Sequence, residues 1–255
     1  VLAVMLIAAS FGLGLPFMPK TENREVFLKG ILRFQELFFT LIKALLAILP
    51  VGILAFAGQL SAQIEAGVIV GALGKYTLVI MASNGIQFFL VLPLFLLARG
   101  LNPIDVFKKM SPAIAVALFT KSSAGTLPVT LASAEKNLKA NPAVSRFVLP
   151  ICTTINMNGC AAFILITSLF VMQNAGIELS MTTMLTWLIV AVLAAVGNAG
   201  VPMGCYFLTL SLMSGIGAPI GIMGLILPIY TIIDMIETAE NVWSDSCVCA
   251  MTDHD

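Results

Sequence analysis

Three polar segments interrupt an otherwise apolar chain. They are Lys121-Ser-Ser-Ala-Gly-Thr-Leu-Pro128, Thr153-Thr-Ile-Asn-Met-Asn-Gly159 and Gly197-Asn-Ala-Gly-Val-Pro202. Each mixes glycine or proline with hydroxyl or amide side chains, and so reads as backbone that leaves regular helix. In lipid such backbone is tolerated only where protein or a watery cavity surrounds it. The fold must therefore bring all three breaks inside, and the usual reason for keeping them is a ligand or an ion.

The membrane reading rests on composition. The chain is 59% hydrophobic and 10% charged, with a mean hydropathy of +1.03, where a soluble domain carries about 25% charged residues. A chain of 255 residues has too little interior to hide that much apolar side chain from water. The formal net charge is zero, which argues against nucleic acid as a partner. Cys247 and Cys249 have only the lone His254 nearby, a poor set for a metal site. Cys152, Cys160 and Cys205 lie in apolar surroundings and read as small core residues. No nucleophile, base and acid form a set, so an enzyme is not expected.

The apolar segments predict an order. A helix over 1–18 begins abruptly within an apolar run, without an initiator Met or basic leader, as if the chain starts inside a larger protein. A second helix covers 34–60 with a break at Pro50, and a third covers 75–97. Residues 104–135 form two arms, each shorter than the roughly 20 residues of a full span, meeting at a polar tip. A span over 145–173 is broken at Thr153–Gly159, and a second hairpin over 182–215 is broken at Gly197–Pro202. A last helix covers 220–250. Hairpin followed by a broken or polar span occurs twice, and duplicated discontinuous elements point to a secondary transporter.

Charge predicts orientation. Lys20, Arg24, Lys29 and Arg33 precede the second helix; Arg99, Lys108 and Lys109 follow the third; Lys136, Lys139 and Arg146 link the first hairpin to the broken span. These basic regions are expected on the cytoplasmic side. The first hairpin then enters from inside and the second from outside.

The clusters share a chemical logic. Ser122 and Ser123 at a helix start suit a carboxylate, because free N–H groups and the helix dipole favour anions there. The turn at Thr154–Asn158 offers the oxygens that hard cations take. Asp234, Glu237, Asn241 and Asp245 share one stripe of the last helix, with Thr238 and Glu240 beside it. Carboxylates at membrane depth are functional by default. Asp234 suits a substrate ammonium, and Asn241 with Asp245 suits a cation. Packing between helices is the competing reading of the hydroxyl and amide residues, and a surface-lying amphipathic C-terminus that of the acidic stripe.

In their combination and order these motifs resemble the dicarboxylate/amino acid:cation symporter family, the glutamate transporter homologues. The match runs along essentially the whole chain as the C-terminal two thirds of a family member. The resemblance implies an all-α polytopic membrane protein with two re-entrant helical hairpins and inverted repeats, embedded in a plasma membrane, with the bacterial inner membrane expected. It implies a homotrimer in the lipid bilayer, with residues 1–73 part of a scaffold and 74–255 a transport domain moving like an elevator. It implies sodium as the coupling ion and an amino acid or dicarboxylate as substrate. Ser122, Ser123, Val201, Asp234, Thr238 and Asn241 would then touch substrate, with Cys160 and Glu237 beside it. Asn156, Asn158, Asn241 and Asp245 would serve sodium, as would Thr154, Met157 and the second hairpin around Asn198.

This chain departs from the family pattern at several of these positions. Asn158 stands where the family has Asp, Cys160 where it has Thr, and Tyr230 where it has an acid. Glu237 stands where acidic-substrate members carry Arg, and it would repel an acidic side chain, so a neutral or cationic amino acid is favoured. Lys121 either supplies positive charge near the site or pairs with Glu237. A symporter, a non-transporting relative with a structural or sensory role, and a passive channel are the functions to be separated.

Overall fold

The computed structural model describes residues 7, 10–19, 21–34, 36, 37, 40, 41, 51, 58, 70–198 and 200–254. The chain divides into two units, residues 1–66 and 67–255. In the first, residues 10–14 and 22–34 are helical, with a short 3-10 turn at Leu15–Phe17. The basic segment expected to be a loop is thus largely helix. Thr21 caps it, its hydroxyl taking the Arg24 N–H at 3.4 Å, and Glu22, Arg24, Leu28 and Lys29 are good helix formers. Most of the expected helix over 34–60 lies outside the described residues.

The second unit is all-α. Its elements are α1 (Val70–Ile86), α2 (Leu92–Ala98), α3 (Pro103–Thr120), α4 (Ser123–Ser133), α5 (Pro142–Ile155), α6 (Asn158–Asn174), α7 (Met181–Val196), α8 (Gly204–Gly215) and α9 (Gly221–His254). Three described stretches are long and apolar enough to cross a membrane: Gly71–Ala98, Pro142–Asn174 and Gly221–His254. The protein is a multi-pass membrane helical bundle.

Local chemistry explains the boundaries. Asn102, Asn141 and Ser180 cap α3, α5 and α7, each side-chain oxygen taking a first-turn N–H; Pro103 and Pro142 follow at the first helical position, where the missing N–H costs nothing. Between α1 and α2 the turn Gln87–Val91 widens to a π-turn, with the Leu92 N–H reaching back to Gln87 O. Pro93 lies just beyond it and has no N–H to continue the α pattern, which is where such bulges form.

The breaks are narrower than the sequence suggests. The first hairpin turns at Lys121 and Ser122 alone, with Lys121 in the left-handed region at φ 53°. Pro128 lies inside α4, because its neighbours supply enough packing to tolerate the lost hydrogen bond. The broken span opens only at Asn156 and Met157, and Thr153 is still helical. In the second hairpin regular helix stops at Val196 and resumes at Gly204.

α9 is the axis. It packs on α1, α3, α5 and α6, and every residue from Glu237 to Cys247 is buried. Trp243 is 1% exposed. Its ring meets Phe88 and Phe107 at centroid distances of 6.1 and 5.4 Å, and its indole N–H donates to Phe88 O at 3.2 Å. That apolar anchor sits between polar α9 residues that face the three breaks.

Candidate functional site

The three polar breaks meet at Gly200. Ser122 caps α4, accepting the Gly125 N–H at 3.0 Å, and its own hydroxyl donates to Gly200 O at 2.9 Å. The Ala124 N–H reaches the same carbonyl at 3.4 Å. Gly200 has φ +65°, and a Cβ there would stand 2.9 Å from Thr153 O, 3.1 Å from Ala124 N and 3.2 Å from Met157 Cε. Only glycine accepts both that conformation and that crowding. The tip of the first hairpin, the broken span and the second hairpin are therefore in direct contact.

α9 supplies the charges. Asp234 is 4% exposed, Glu237 0%, Glu240 0% and Asp245 1%. Two ion pairs are formed among the described residues, Lys109–Asp105 and Arg146–Glu135, and both are surface pairs. None of the four buried carboxylates has a basic partner in either pair. Lys121 acts on Asp234 electrostatically without forming an ion pair. Burying four carboxylates with so little compensation is expensive, so this stripe favours further cations or protons.

Each carboxylate has its own surroundings. Asp234 Oδ2 accepts the Met203 N–H at 3.3 Å, and Oδ1 accepts the Tyr230 hydroxyl at 3.2 Å. The same hydroxyl lies 3.5 Å from Glu237 Oε2, while Glu237 Oε1 has no partner. A Lys121–Glu237 pair is not formed. Lys121 sits at the hairpin turn in a left-handed conformation, and Tyr230 takes its place at the carboxylate. Asp245 Oδ1 accepts from Asn156 Nδ2 at 2.9 Å, and Ser244 Oγ accepts from Asn156 and Asn158 at 2.9 and 2.7 Å. The Gly159 N–H donates to Asn241 Oδ1 at 3.0 Å. A Cβ on Gly159 would meet Glu237 Cα at 2.9 Å, so glycine here lets α6 lie directly on α9. Asp245 and Ser244 thus bring a carboxylate and a hydroxyl oxygen together under the Asn156 amide, oxygen donors of the kind a hard cation such as sodium takes.

Most of the expected site residues come together. Ser122 meets the second break at Gly200, Asp234 meets it at Met203, and Cys160 lies against Glu237 and Asn241. Ser123 is buried in the first turn of α4, and Val201 is half-buried in the second break. Thr238 directs its hydroxyl to Asp234 O, one turn back, at 2.7 Å. Met157 is buried against Gly200. Thr154 is exposed and its hydroxyl bonds Ile151 O at 2.8 Å, whereas Thr153 presents its carbonyl to Gly200. Asn198 lies apart from the Asp245 group, donating its amide to Cys160 Sγ and Cys205 Sγ at 3.2 and 3.3 Å.

Cys160 and Cys205 are joined as a disulfide with Cα atoms 5.7 Å apart, which corrects their reading as separate small core residues. The bond ties α6 to α8. Ser244, Tyr230, Met203 and Gly200 are contributors the sequence did not single out as site residues. Ser244 continues the acidic stripe three residues beyond Asn241, so helical periodicity alone could have marked it. Met203 was not: it adopts φ 62°, a left-handed conformation that nothing about Met announces.

A model of the sodium:dicarboxylate symporter family matches residues 1–255. The chain is 30% identical over 254 residues to excitatory amino acid transporter 1 of Ambystoma tigrinum, covering 99% of this chain and 47% of that protein. It is 33% identical over 223 residues to human excitatory amino acid transporter 1, covering 86% and 41%. Against the putative sodium-dependent excitatory amino acid transporter glt-4 of Caenorhabditis elegans it is 34% identical over 205 residues, covering 79% and 41%. The chain thus spans somewhat under half the length of the curated relatives it matches. These relatives are animal proteins and lend no support to the bacterial membrane expected from the motifs.

Proposed function

The chain belongs to the sodium:dicarboxylate symporter family, and on that premise we propose that it forms the substrate- and sodium-binding part of a secondary active symporter. Its cargo is an amino acid, with a neutral or cationic side chain favoured over glutamate or aspartate. The single observation that carries this reading is the meeting of three helix breaks at Gly200, beside a helix whose four buried carboxylates form no ion pair among the described residues. A zwitterionic substrate and sodium ions bring the positive charges that such a site lacks. The preference against acidic side chains rests on Glu237, which is fully buried where acidic-substrate members carry Arg. Another carboxylate brought beside it would meet like charge at low dielectric.

In this reading Ser122 and Ser123 hold the substrate carboxylate, Asp234 the amine, and Thr238, Cys160 and Asn241 the flank. Val201 and its neighbours close over it. Asn156, Asn158, Asn241 and Asp245 serve one sodium ion, and the Thr154–Met157 turn with the second hairpin another. The paired arms α3–α4 and α7–α8 are re-entrant hairpins of an inverted repeat. Residues 74–255 are the moving transport domain, and 1–73 belong to a scaffold that trimerises in a plasma membrane. Sodium favours closure only as far as it binds the closed state better than the open one.

The test is reconstitution of the protein in liposomes with a panel of amino acids, with and without an inward sodium gradient. Accumulation that needs sodium and is lost in Asp234→Asn supports the symporter. Folded protein that accumulates none of the panel sinks it. A second reading, a non-transporting relative with a structural or sensory role, is favoured by two contacts. Met203 already donates to Asp234, and the disulfide fastens α8 to α6. It predicts ligand binding without accumulation.

A further inference from the structure

The disulfide sits against an unsatisfied carboxylate. Cys160 Sγ, Cys205 Sγ and a Glu237 oxygen all lie within 4.8 Å of one another, and all three residues are buried. They come from α6, α8 and α9, so the cluster joins three elements. Glu237 is 0% exposed and its Oε1 has no hydrogen-bond partner. Three amide contacts are aimed at the sulfurs: Asn198 Nδ2 at 3.2 and 3.3 Å, and Asn241 Nδ2 at 3.4 Å. Donors around sulfur favour thiolate over thiol. A hard-cation site has no use for two sulfurs, and the free Glu237 Oε1 beside them is a ligand atom without a partner.

We propose that Cys160, Cys205 and Glu237 form a site for a soft divalent cation, zinc or cadmium, that opens when the cysteine pair is reduced. The S–S bond takes two electrons from a phosphine, which is oxidised to its oxide by the oxygen of a water molecule, and the two protons of that water yield two thiols. The metal then displaces both thiol protons to solvent, and two thiolates and the Glu237 carboxylate become its ligands. Two thiolates, one carboxylate and an open fourth position suit a tetrahedral ion with metal–sulfur distances of about 2.3 Å. The sulfurs must part and Glu237 must draw in by about an ångström to reach that geometry. The charge of the ion neutralises the carboxylate that Tyr230 only half satisfies. Bound there, it bridges α6, α8 and α9 and holds the second hairpin against the core.

The experiment uses cadmium and the full chain in detergent, without sodium or amino acid, so its outcome is independent of whether the protein transports. Binding is read from the thiolate-to-cadmium absorption band and from equilibrium dialysis. The phosphine-reduced chain takes up one cadmium and the oxidised chain none at this site. Glu237→Gln weakens binding by about 10- to 100-fold, Cys205→Ser weakens it further, and Cys247→Ser leaves it unchanged. Should any variant misfold, alkylation of the reduced wild-type chain answers the same question: cadmium protects Cys160 and Cys205 from the reagent. The proposal is overturned if reduced wild-type protein binds no more cadmium than the Cys160→Ser, Cys205→Ser double variant. It is equally overturned if cadmium leaves the alkylation rates of both cysteines unchanged.

Discussion

Gly200→Ala tests whether the hairpin tips press on one another. The substitution acts twice. A residue with a Cβ held at φ +65° pays about 1–2 kcal/mol for the left-handed conformation. The new methyl also lands 2.9 Å from Thr153 O and 3.1 Å from Ala124 N. Both are backbone atoms in helices, so the tip must withdraw. Withdrawal breaks the Ser122 hydroxyl bond to Gly200 O, worth about 1 kcal/mol net. The sum is about 2–3 kcal/mol, or about 30- to 150-fold in the equilibrium between joined and separated tips. Gly176→Ala is the matched control. Gly176 has φ +75° with nothing within 4 Å of a built Cβ, so it carries the conformational cost alone. The assay is hydrogen exchange at the Ala124 amide, whose acceptor is Gly200 O, alongside thermal unfolding in detergent. Gly200→Ala is expected to speed exchange at Ala124 and to destabilise more than Gly176→Ala. If the two substitutions cost the same and exchange at Ala124 does not change, the tips are not in the contact described.

The other predictions concern the supports of the site. Ser244→Ala leaves the Asn156 and Asn158 amides without their shared acceptor; sodium affinity, measured by the sodium dependence of uptake or of thermal stability, falls by about 10-fold, the worth of one to two hydrogen bonds. Asn102→Ala removes the cap that takes the Ile104 and Asp105 N–H groups and destabilises by about 1 kcal/mol, whereas Asn102→Gly costs only a few tenths; thermal melts separate them. The Arg146 guanidinium beside Glu135 holds that carboxyl below its usual range. A depressed carboxyl stabilises above its unfolded pKa of about 4.3 and loses that contribution as pH falls through its lowered folded value. The acid side of the melting-temperature profile should therefore flatten in Arg146→Gln, and an unchanged profile would refute the pairing.

The places where sequence reasoning succeeded are those with local causes. The helices expected from 104, 145 and 182 begin at Pro103, Pro142 and Met181, each after a capping Asn or Ser. The stripe of Asp234, Glu237, Asn241 and Asp245 follows from helical periodicity alone. The failures have physical reasons too. Proline was taken as a stop at Pro128, but packing of α4 on α3 and α5 outweighs one lost hydrogen bond. The basic residues before the expected second helix lie within helix at 22–34, because charged residues with long stems are good helix formers. The partnership of Cys160 and Cys205 spans 45 residues, and no spacing rule reports which side chains a bundle will bring together. Sign alone allows Lys121 either to pair with Glu237 or to supply charge nearby; in the structure its charge acts on Asp234, while Tyr230 is the group at the Glu237 carboxylate.

An amino acid offers its receptor an acceptor and a donor joined by one carbon. The turn from Gly200 to Met203 offers the same pair from the main chain: the Gly200 carbonyl to Ser122 and Ala124, and the Met203 amide to Asp234. Under the proposed symporter reading, that turn is an internal rival for the groups that would hold the substrate, tethered at high local concentration. An arriving molecule would use those groups only while the turn stands aside. Its apparent affinity would be the intrinsic one scaled by that fraction of time. On that reading, affinity is tuned by the stiffness of a backbone turn as much as by the contacts made to the guest.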